Sequence, residues 1–273
     1  MPDRETFDAY VKRHPATVLV EIVEAKGSTP REAGTFMLVS PGDFWGTIGG
    51  GQFEFMAIEN ARKLLAGTGG QDFLDIPLGP EIGQCCGGRT GLRFQRLATE
   101  MAERLRERIT HEERDWPEVH LFGAGHVGKA LAGAFAPLPL VVTVIETRVD
   151  ELQGLPAGTR SHLLAMPESA IRELPAGSAV IILTHDHALD FLIAKEALAR
   201  NDLAYIGMIG SMTKRATFAR WLEKEARVSA DLSRFTLPIG GSAVRDKRPE
   251  VIAAMTVAEV LAALHAYRNK SRS

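Results

Sequence analysis

The chain has 273 residues, enough for one large domain or two modest ones, and its 45% hydrophobic and 24% charged residues are ordinary globular usage. Basic residues number 32 against 34 acidic ones, for a formal net charge of −2. Such a balance gives no global field to draw in nucleic acid, and the composition excludes a disordered, collagenous or coiled-coil chain.

The first fifteen residues, Met1 to Pro15, are charged and lack the apolar h-region of a signal peptide. No run reaches the roughly 18 uninterrupted apolar residues of a membrane helix. A cytoplasmic protein with no membrane partner is expected. Val18, Leu19, Val20 and Ile22 then carry strand character up to the breaker Lys26-Gly27-Ser28-Thr29-Pro30. Thr35 to Ser40 reads as a second strand, closed by Pro41-Gly42-Asp43. After Gly49-Gly50-Gly51, the apolar residues Phe53, Ala57, Ala61, Leu64 and Leu65 follow a helical period until Gly67. Asp72 to Leu78 and Gly91 to Leu97 read as a strand pair around Gly83-Gln84-Cys85-Cys86-Gly87-Gly88. A charged helix over Glu100–Ile109 leads into a polar segment, His111 to Pro117, that reads as a linker.

From Val119 the rhythm becomes strand, helix, strand. Strands are expected at Val119–Phe122, Leu140–Ile145, Ala179–Leu183 and Ala204–Met208, with helices near His126–Ala136, Ala188–Arg200 and Ser211–Ala226. A last helix begins near Pro249, a residue suited to a helix's first turn. This alternation predicts an α/β chain whose C-terminal part is a Rossmann-type parallel sheet with helices on both faces. The domains expected are a smaller N-terminal α+β domain over 1–110, a linker over 111–117 and the Rossmann-type domain over 118–273.

Gly123-Ala124-Gly125-His126-Val127-Gly128 fits the G-x-G-x-x-G pattern between a predicted strand and a predicted helix. There Gly123 and Gly125 permit a tight turn close to a phosphate, and Gly128 lets helix and strand pack. The helix N-terminus offers N–H groups to an anion. Glu146 ends the next strand, where a ribose-binding acid belongs. His185, Asp186 and His187 follow a further strand at the ligand-binding edge of such sheets. They invite either a metal reading or a polar pocket wall, with helix capping by Asp186 or Thr184 as the plainer alternative. Lys214 and Arg215, in the first turn of a helix, work against its dipole and point to an anionic partner or a solvated face.

The only cysteines, Cys85 and Cys86, are adjacent. Neighbouring Cα atoms lie about 3.8 Å apart, short of the ~4.4 Å at which unstrained disulfides begin. The pair therefore reads as two thiols. Two cysteines cannot build a structural zinc site, but thiolates suit softer, heavier centres. Flanking glycines and Arg89 favour a reactive pair over two buried small hydrophobes. Arg31 can fork onto a phosphate or carboxylate, while Gly49, Gly50 and Gly51 open a helix as an anion site. Glu54 in the first turn complements that helix's dipole.

In this order the segments Gly27–Arg31, Gly49–Glu54, Gly83–Gly88, Gly123–Gly128, Thr184–Asp190, Tyr205–Ser211 with Lys214-Arg215, and Pro238–Gly240 resemble the XdhC/CoxI family across nearly the whole chain. Two departures stand out: Gln52 where many relatives carry cysteine, and the polar stretch Gly241–Arg245. The resemblance implies an accessory protein rather than an enzyme, a chaperone for the molybdenum cofactor. Such proteins bind molybdopterin-based cofactor as cargo, protect it while its terminal sulfido ligand is installed, and pass it to apo-xanthine dehydrogenase. The implied partners are the molybdenum-carrying subunit of that enzyme and a cysteine desulfurase, and a homodimer is expected.

No residue is expected to be catalytic. Expected at the cofactor are Arg31, Gly49, Gly50, Gly51, Gln52, Glu54, Gln84, Cys85, Cys86, Gly123, Gly125, His126, Gly128, His185, Asp186 and His187. Cys85 or Cys86 would contact molybdenum or relay sulfur. Two other readings stay open: an NAD-dependent oxidoreductase using Gly123–Gly128 and Glu146, and a thiol or persulfide sulfur carrier using the cysteine pair alone.

Overall fold

A computed structural model describes residues 3–79, 87–224 and 231–272. Two compact units divide between Arg114 and Asp115. The front unit runs α1 (Arg4–Arg13), β1 (Val18–Lys26), β2 (Phe36–Val39), β3 (Phe44–Gly46), α2 (Gly51–Ala66), β4 (Phe73–Pro77), β5 (Arg89–Arg96) and α3 (Thr99–Arg114). Its sheet is antiparallel, in the order β3-β2-β1-β5-β4. Alternation along β1 sorts its side chains. Val18, Val20 and Ile22 meet Phe53, Ala57 and Ala61 of α2 on one face, and Leu19 meets Phe7, Tyr10, Leu105 and Ile109 of α1 and α3 on the other.

α1 carries few apolar residues and rests on local chemistry. Asp3 accepts from the N–H of Thr6 at 2.7 Å and the Thr6 hydroxyl answers the N–H of Asp3, closing a capping box. α3 runs to Arg114, beyond Ile109 and into the polar segment read as a connector. An Arg108–Glu112 pair at 3.0 Å, one helical turn apart, supports this extension.

The second unit runs β6 (Glu118–Phe122), α4 (His126–Phe135), β7 (Val141–Glu146), β8 (Arg160–Leu163), β9 (Ala179–Ile182), α5 (His187–Ala199), β10 (Tyr205–Met208), α6 (Met212–Lys224), β11 (Phe235–Thr236) and α7 (Pro249–Arg272). All six strands are parallel, in the order β11-β10-β9-β6-β7-β8. Counted within the unit and read from β8, this is the 3-2-1-4-5-6 order of dinucleotide-binding sheets. Val119, Leu121, Val142 and Val144 bury against α4 and α7. Phe122, Ile145, Val180 and Ile182 bury on the opposite face against α5 and α6. Helices thus cover both faces, as the strand–helix rhythm requires.

By length and composition α7 is apolar enough to cross a membrane. Its Ala253, Val260 and Leu264, however, are buried in the sheet's own core beside Leu131 and Phe135 of α4. One stripe of the helix thus packs on the sheet, while Leu261 on another side is exposed.

Candidate functional site

In the front unit three of the glycine segments meet. A Cβ on Gly49 would fall 2.7 Å from Cγ of Pro30, and one on Gly88 would fall 2.2 Å from the carbonyl oxygen of Ser28. The Gly27–Arg31 loop therefore touches the Gly49–Gly51 turn through the Pro30 ring and the start of β5 through its backbone, at one end of the sheet. Glu54, in the first turn of α2, fastens this corner. Its Oε2 accepts from the Thr47 hydroxyl at 2.5 Å and from the N–H groups of Ile48 and Gly50 at 2.9 and 3.2 Å. Glu54 shapes the loop, and Thr47 is a partner that sequence reasoning missed. Gly51 and Gln52 are exposed at the mouth of α2, which has no side-chain cap. Arg31 is exposed and makes no ion pair among the described residues.

β4 and β5 form a hairpin whose ladder closes with the N–H of Leu78 on the carbonyl of Gly88 and that of Gly87 on the carbonyl of Leu78. Gln84, Cys85 and Cys86 lie outside the described residues. Arg89 does not stand free beside them: its guanidinium forks onto Asp75, with both contacts at 2.6 Å. The cross-strand carboxylate thus takes two of the guanidinium's donors and offsets its charge, which makes Arg89 a strand-pairing residue first.

In the Rossmann unit the switch point falls between β6 and β9, where strand order reverses. A Cβ on Gly123, which sits at φ +119, would lie 2.5 Å from the carbonyl oxygen of Leu183. A Cβ on Gly128 would lie 2.1 Å from the carbonyl oxygen of Gly123. Nothing stands within 4 Å of the corresponding point on Gly125. Gly125 is the N-cap of α4 and offers no side-chain cap, so no side chain at the N-cap satisfies the first-turn N–H groups of that helix, and an exposed His126 stands beside them. Across the switch point, His185, Asp186 and His187 are exposed. Asp186 caps α5 by accepting from the N–H of Ala188 at 2.8 Å. Among the described residues no group of three or more His, Cys, Asp or Glu side chains is placed to hold a metal ion.

Several charges at this edge are taken up by the fold. Glu146 is 3% exposed. Its carboxylate accepts from the N–H of Ala124 at 2.9 Å, from those of Thr147 and Arg148, and from the Arg148 guanidinium. Burial pushes this carboxyl up, but hydrogen bonds from the Arg148 guanidinium and the three N–H groups outweigh it and hold the group at about 2. A ribose diol would have to displace bonds the loop already needs. Lys214 likewise is not free for an anion. Its Nζ donates to Asp190 at 2.5 Å and to the carbonyl of Ile209 at 3.1 Å. Arg215 donates to the carbonyls of Phe235 and Leu232. The reading of this pair as an anion site is corrected: both cations serve the interior.

Asp190 is the residue sequence reasoning left without a role. It is fully buried and also accepts from the N–H and hydroxyl of Thr184, tying the β9 end to α6. A carboxylate on the face of the helix that also carries Ile193, Ala194 and Ala197 was the available signal. Beyond β10 and β11, a cavity of about 400 Å3 opens among Ile209, Gly210, Pro238, Gly240, Val244 and Ile252. Its wall is held by Glu259 of α7, which accepts from the Tyr205 hydroxyl at 2.9 Å and the N–H of Gly240 at 3.0 Å.

A front unit with gathered glycine loops and a Rossmann unit with an open helix N-terminus define a two-part protein whose second part has the dinucleotide-binding architecture. Residues 119–260, more than half of the chain, match the XdhC Rossmann domain, and residues 11–76 match the XdhC and CoxI family. The chain belongs to the XdhC and CoxI family. It is 25% identical over 255 residues to Uncharacterized protein YqeB of Escherichia coli (strain K12), covering 89% of this chain and 42% of that one. It therefore spans less than half of that relative's length. The crystal structure of a xanthine dehydrogenase from Bacillus halodurans is similar with a TM-score of 0.76 at 18% identity, covering 97% of this chain and 96% of that one. At that identity the likeness is one of fold.

Proposed function

We propose that this chain is an accessory protein in the maturation of xanthine dehydrogenase, binding the molybdenum cofactor as cargo and holding it for sulfuration and delivery. The observation that carries this reading is the convergence of the Gly27–Arg31, Gly49–Glu54 and Gly87-Gly88 segments in a member of this family. Cys85 and Cys86 directly precede Gly87 in the chain. Molybdopterin joins a phosphate to a dithiolene-bound metal, and the chain offers chemistry for both ends. Uncapped N–H groups at the start of α4 or the exposed Arg31 suit the phosphate. The thiols of Cys85 and Cys86 suit the metal or a transferred sulfur. In this reading a cysteine desulfurase supplies the sulfur, the molybdenum-carrying subunit of the dehydrogenase receives the cofactor, and the working unit is a homodimer.

The test uses the full chain purified without oxygen, wild type beside Cys85→Ala and Cys86→Ala. Bound molybdenum and pterin in the wild type, lost in at least one variant together with activation of apo-dehydrogenase, is the expected result. Unchanged cofactor content and unchanged activation in both variants would remove the cysteines from the proposal. A persulfide formed under desulfurase treatment with no molybdenum bound would instead favour a sulfur carrier.

The strand order and switch-point loop favour one second reading, an NAD-dependent oxidoreductase. Saturable NADH binding with turnover would select it. The internal hydrogen bonds of Glu146 weigh against it.

A further inference from the structure

We infer that the Rossmann unit carries a second ligand site, for a small organic anion, on the sheet face beside the edge strand β8. A cavity of about 380 Å3 lies there, lined by His120, Thr143, Arg160, His162, Ile145 and Leu174. Volumes in this range hold small ligands.

Strand register builds the site. His120 pairs with Thr143 and Thr143 with Arg160, so three polar side chains form one row across β6, β7 and β8. Residues two apart on a strand share a face, which places Ile145 and His162 in the next row of the same face. On β9 and β10 this face is apolar and covered by α5 and α6, with Val180, Ile182, Ile206 and Met208 buried. A polar row there would be costly if its only role were packing.

The unsatisfied group is His120. It is 4% exposed, and its Nδ1 has no hydrogen-bond partner. Its Nε2 lies 3.0 Å from a Glu118 carboxylate oxygen but is not aligned for a hydrogen bond. Buried polar side chains ordinarily find partners, and an exception asks for an explanation. Burial, together with the nearby His162 and Arg160, draws the imidazole below its usual range against the pull of Glu118.

Arg160 and His162 are exposed at the cavity's outer side, and the Arg160 guanidinium makes no ion pair or hydrogen bond among the described residues. A guanidinium of this kind matches a carboxylate or phosphate fork. Ile145, Leu164, Leu174 and Pro175 supply an apolar wall, while Glu118 and Glu173 stand at the lining as negative charges. The chemistry selects a ligand with one anionic group toward Arg160 and His162 and an apolar body, rather than a bare multivalent anion.

None of the loop residues Gly123 to Gly128 lines this cavity, although Ile145, at one end of its lining, accepts from the N–H of Gly123 at 2.9 Å. The inference does not depend on the proposed function.

The test titrates sodium benzoate and, separately, sodium phosphate into the full chain while following the His120 and His162 imidazole resonances. Saturable shifts of both rings by benzoate, with phosphate at least tenfold weaker, are expected. Arg160→Ala, an exposed change on an edge strand, should weaken benzoate at least tenfold with thermal stability retained, and Arg160→Lys less. Shifts that stay linear to high benzoate, or saturation unaltered by Arg160→Ala, would overturn the site. Phosphate binding as tightly as benzoate would overturn the ligand class.

Discussion

Gly49, Gly50 and Gly51 of the front unit all stand at positive φ, whereas in the Rossmann loop Gly123 alone of its three glycines does. The front turn is a matter of backbone torsion, and one carboxylate, Glu54, holds it closed. The Rossmann loop is chiefly a matter of space: Gly123 and Gly128 press against neighbouring carbonyls while Gly125 faces an opening. The difference carries into the charges. Glu146, Asp190 and Lys214 beside the Rossmann loop are absorbed into hydrogen bonds of the fold. Arg31 beside the front turn is left exposed. A charge beside a glycine motif can therefore be structural in one unit and exposed in the other, and only contacts tell which.

The largest effect is expected where torsion and space act together. Gly123→Ala places a methyl 2.5 Å from the Leu183 carbonyl oxygen at φ +119. Neither backbone can yield cheaply, so a loss of about 4–5 kcal/mol is expected in chemical denaturation. Gly50→Ala meets nothing within 4 Å and suffers only its torsions, φ +78 with ψ −179, a region nearly confined to glycine, which costs about 1–3 kcal/mol. Equal losses in the two variants would erase the contrast between a loop set by space and a turn set by torsion.

Next comes the buried pair. Lys214→Met leaves the fully buried Asp190 carboxylate without its cation, a change worth about 3–4 kcal/mol. The front unit's Arg89–Asp75 pair is exposed on both sides, and Arg89→Ala should show no comparable loss. Adding Asp190→Asn to Lys214→Met should recover part of the stability. A double variant as unstable as the summed singles would mean the two residues do not act on each other.

A slightly smaller effect follows pH. The Glu146 carboxyl is held at about 2 against an ordinary 4.5. A carboxyl depressed on folding contributes stability that is complete above the unfolded value and disappears as pH falls through the folded one. The contribution here is of the order of 3 kcal/mol. Wild type should therefore exceed Glu146→Gln in melting temperature at pH 7, with the margin narrowing between pH 4.5 and 2. A constant margin across that window would show that Glu146 acts by shape alone.

The Rossmann half was legible because buried parallel strands are nearly continuous apolar runs, as at Val119–Phe122, Val141–Ile145 and Ala179–Ile182. β8 was not, since all four of its residues are exposed and it reads Arg-Ser-His-Leu. β11, two residues long, offers no period to detect. α1 hides Phe7 and Tyr10 among charges and depends on its cap. In the sites, glycine positions could be read because glycine alone suits those torsions and approaches. The partners could not. Lys214 lies 24 residues from Asp190, and Thr47 meets Glu54 across a turn whose path the glycines decide. That is why Lys214 looked available to an anion and Arg89 to a thiolate: a sequence displays a charge without displaying what neutralises it.

The smallest expected change in stability is the one that tests the loop's purpose. Gly125→Ala adds a methyl where no atom stands within 4 Å, at a φ of −67 that any residue adopts. Stability should therefore shift by no more than about 0.5 kcal/mol. The same methyl stands at the N-terminus of α4, where an anion would approach the first-turn N–H groups. If the loop grips the cargo's phosphate, the folded Gly125→Ala protein should retain at most a tenth of the wild-type molybdenum and pterin after purification. If instead the glycines only shape the crossover from β6 to α4, cofactor content will match wild type while Gly123→Ala still unfolds the unit. That outcome would leave the phosphate to Arg31 and the front turn. Both variants lie in one loop, so their opposite expected profiles, unstable without regard to ligand and stable without ligand, separate the two roles.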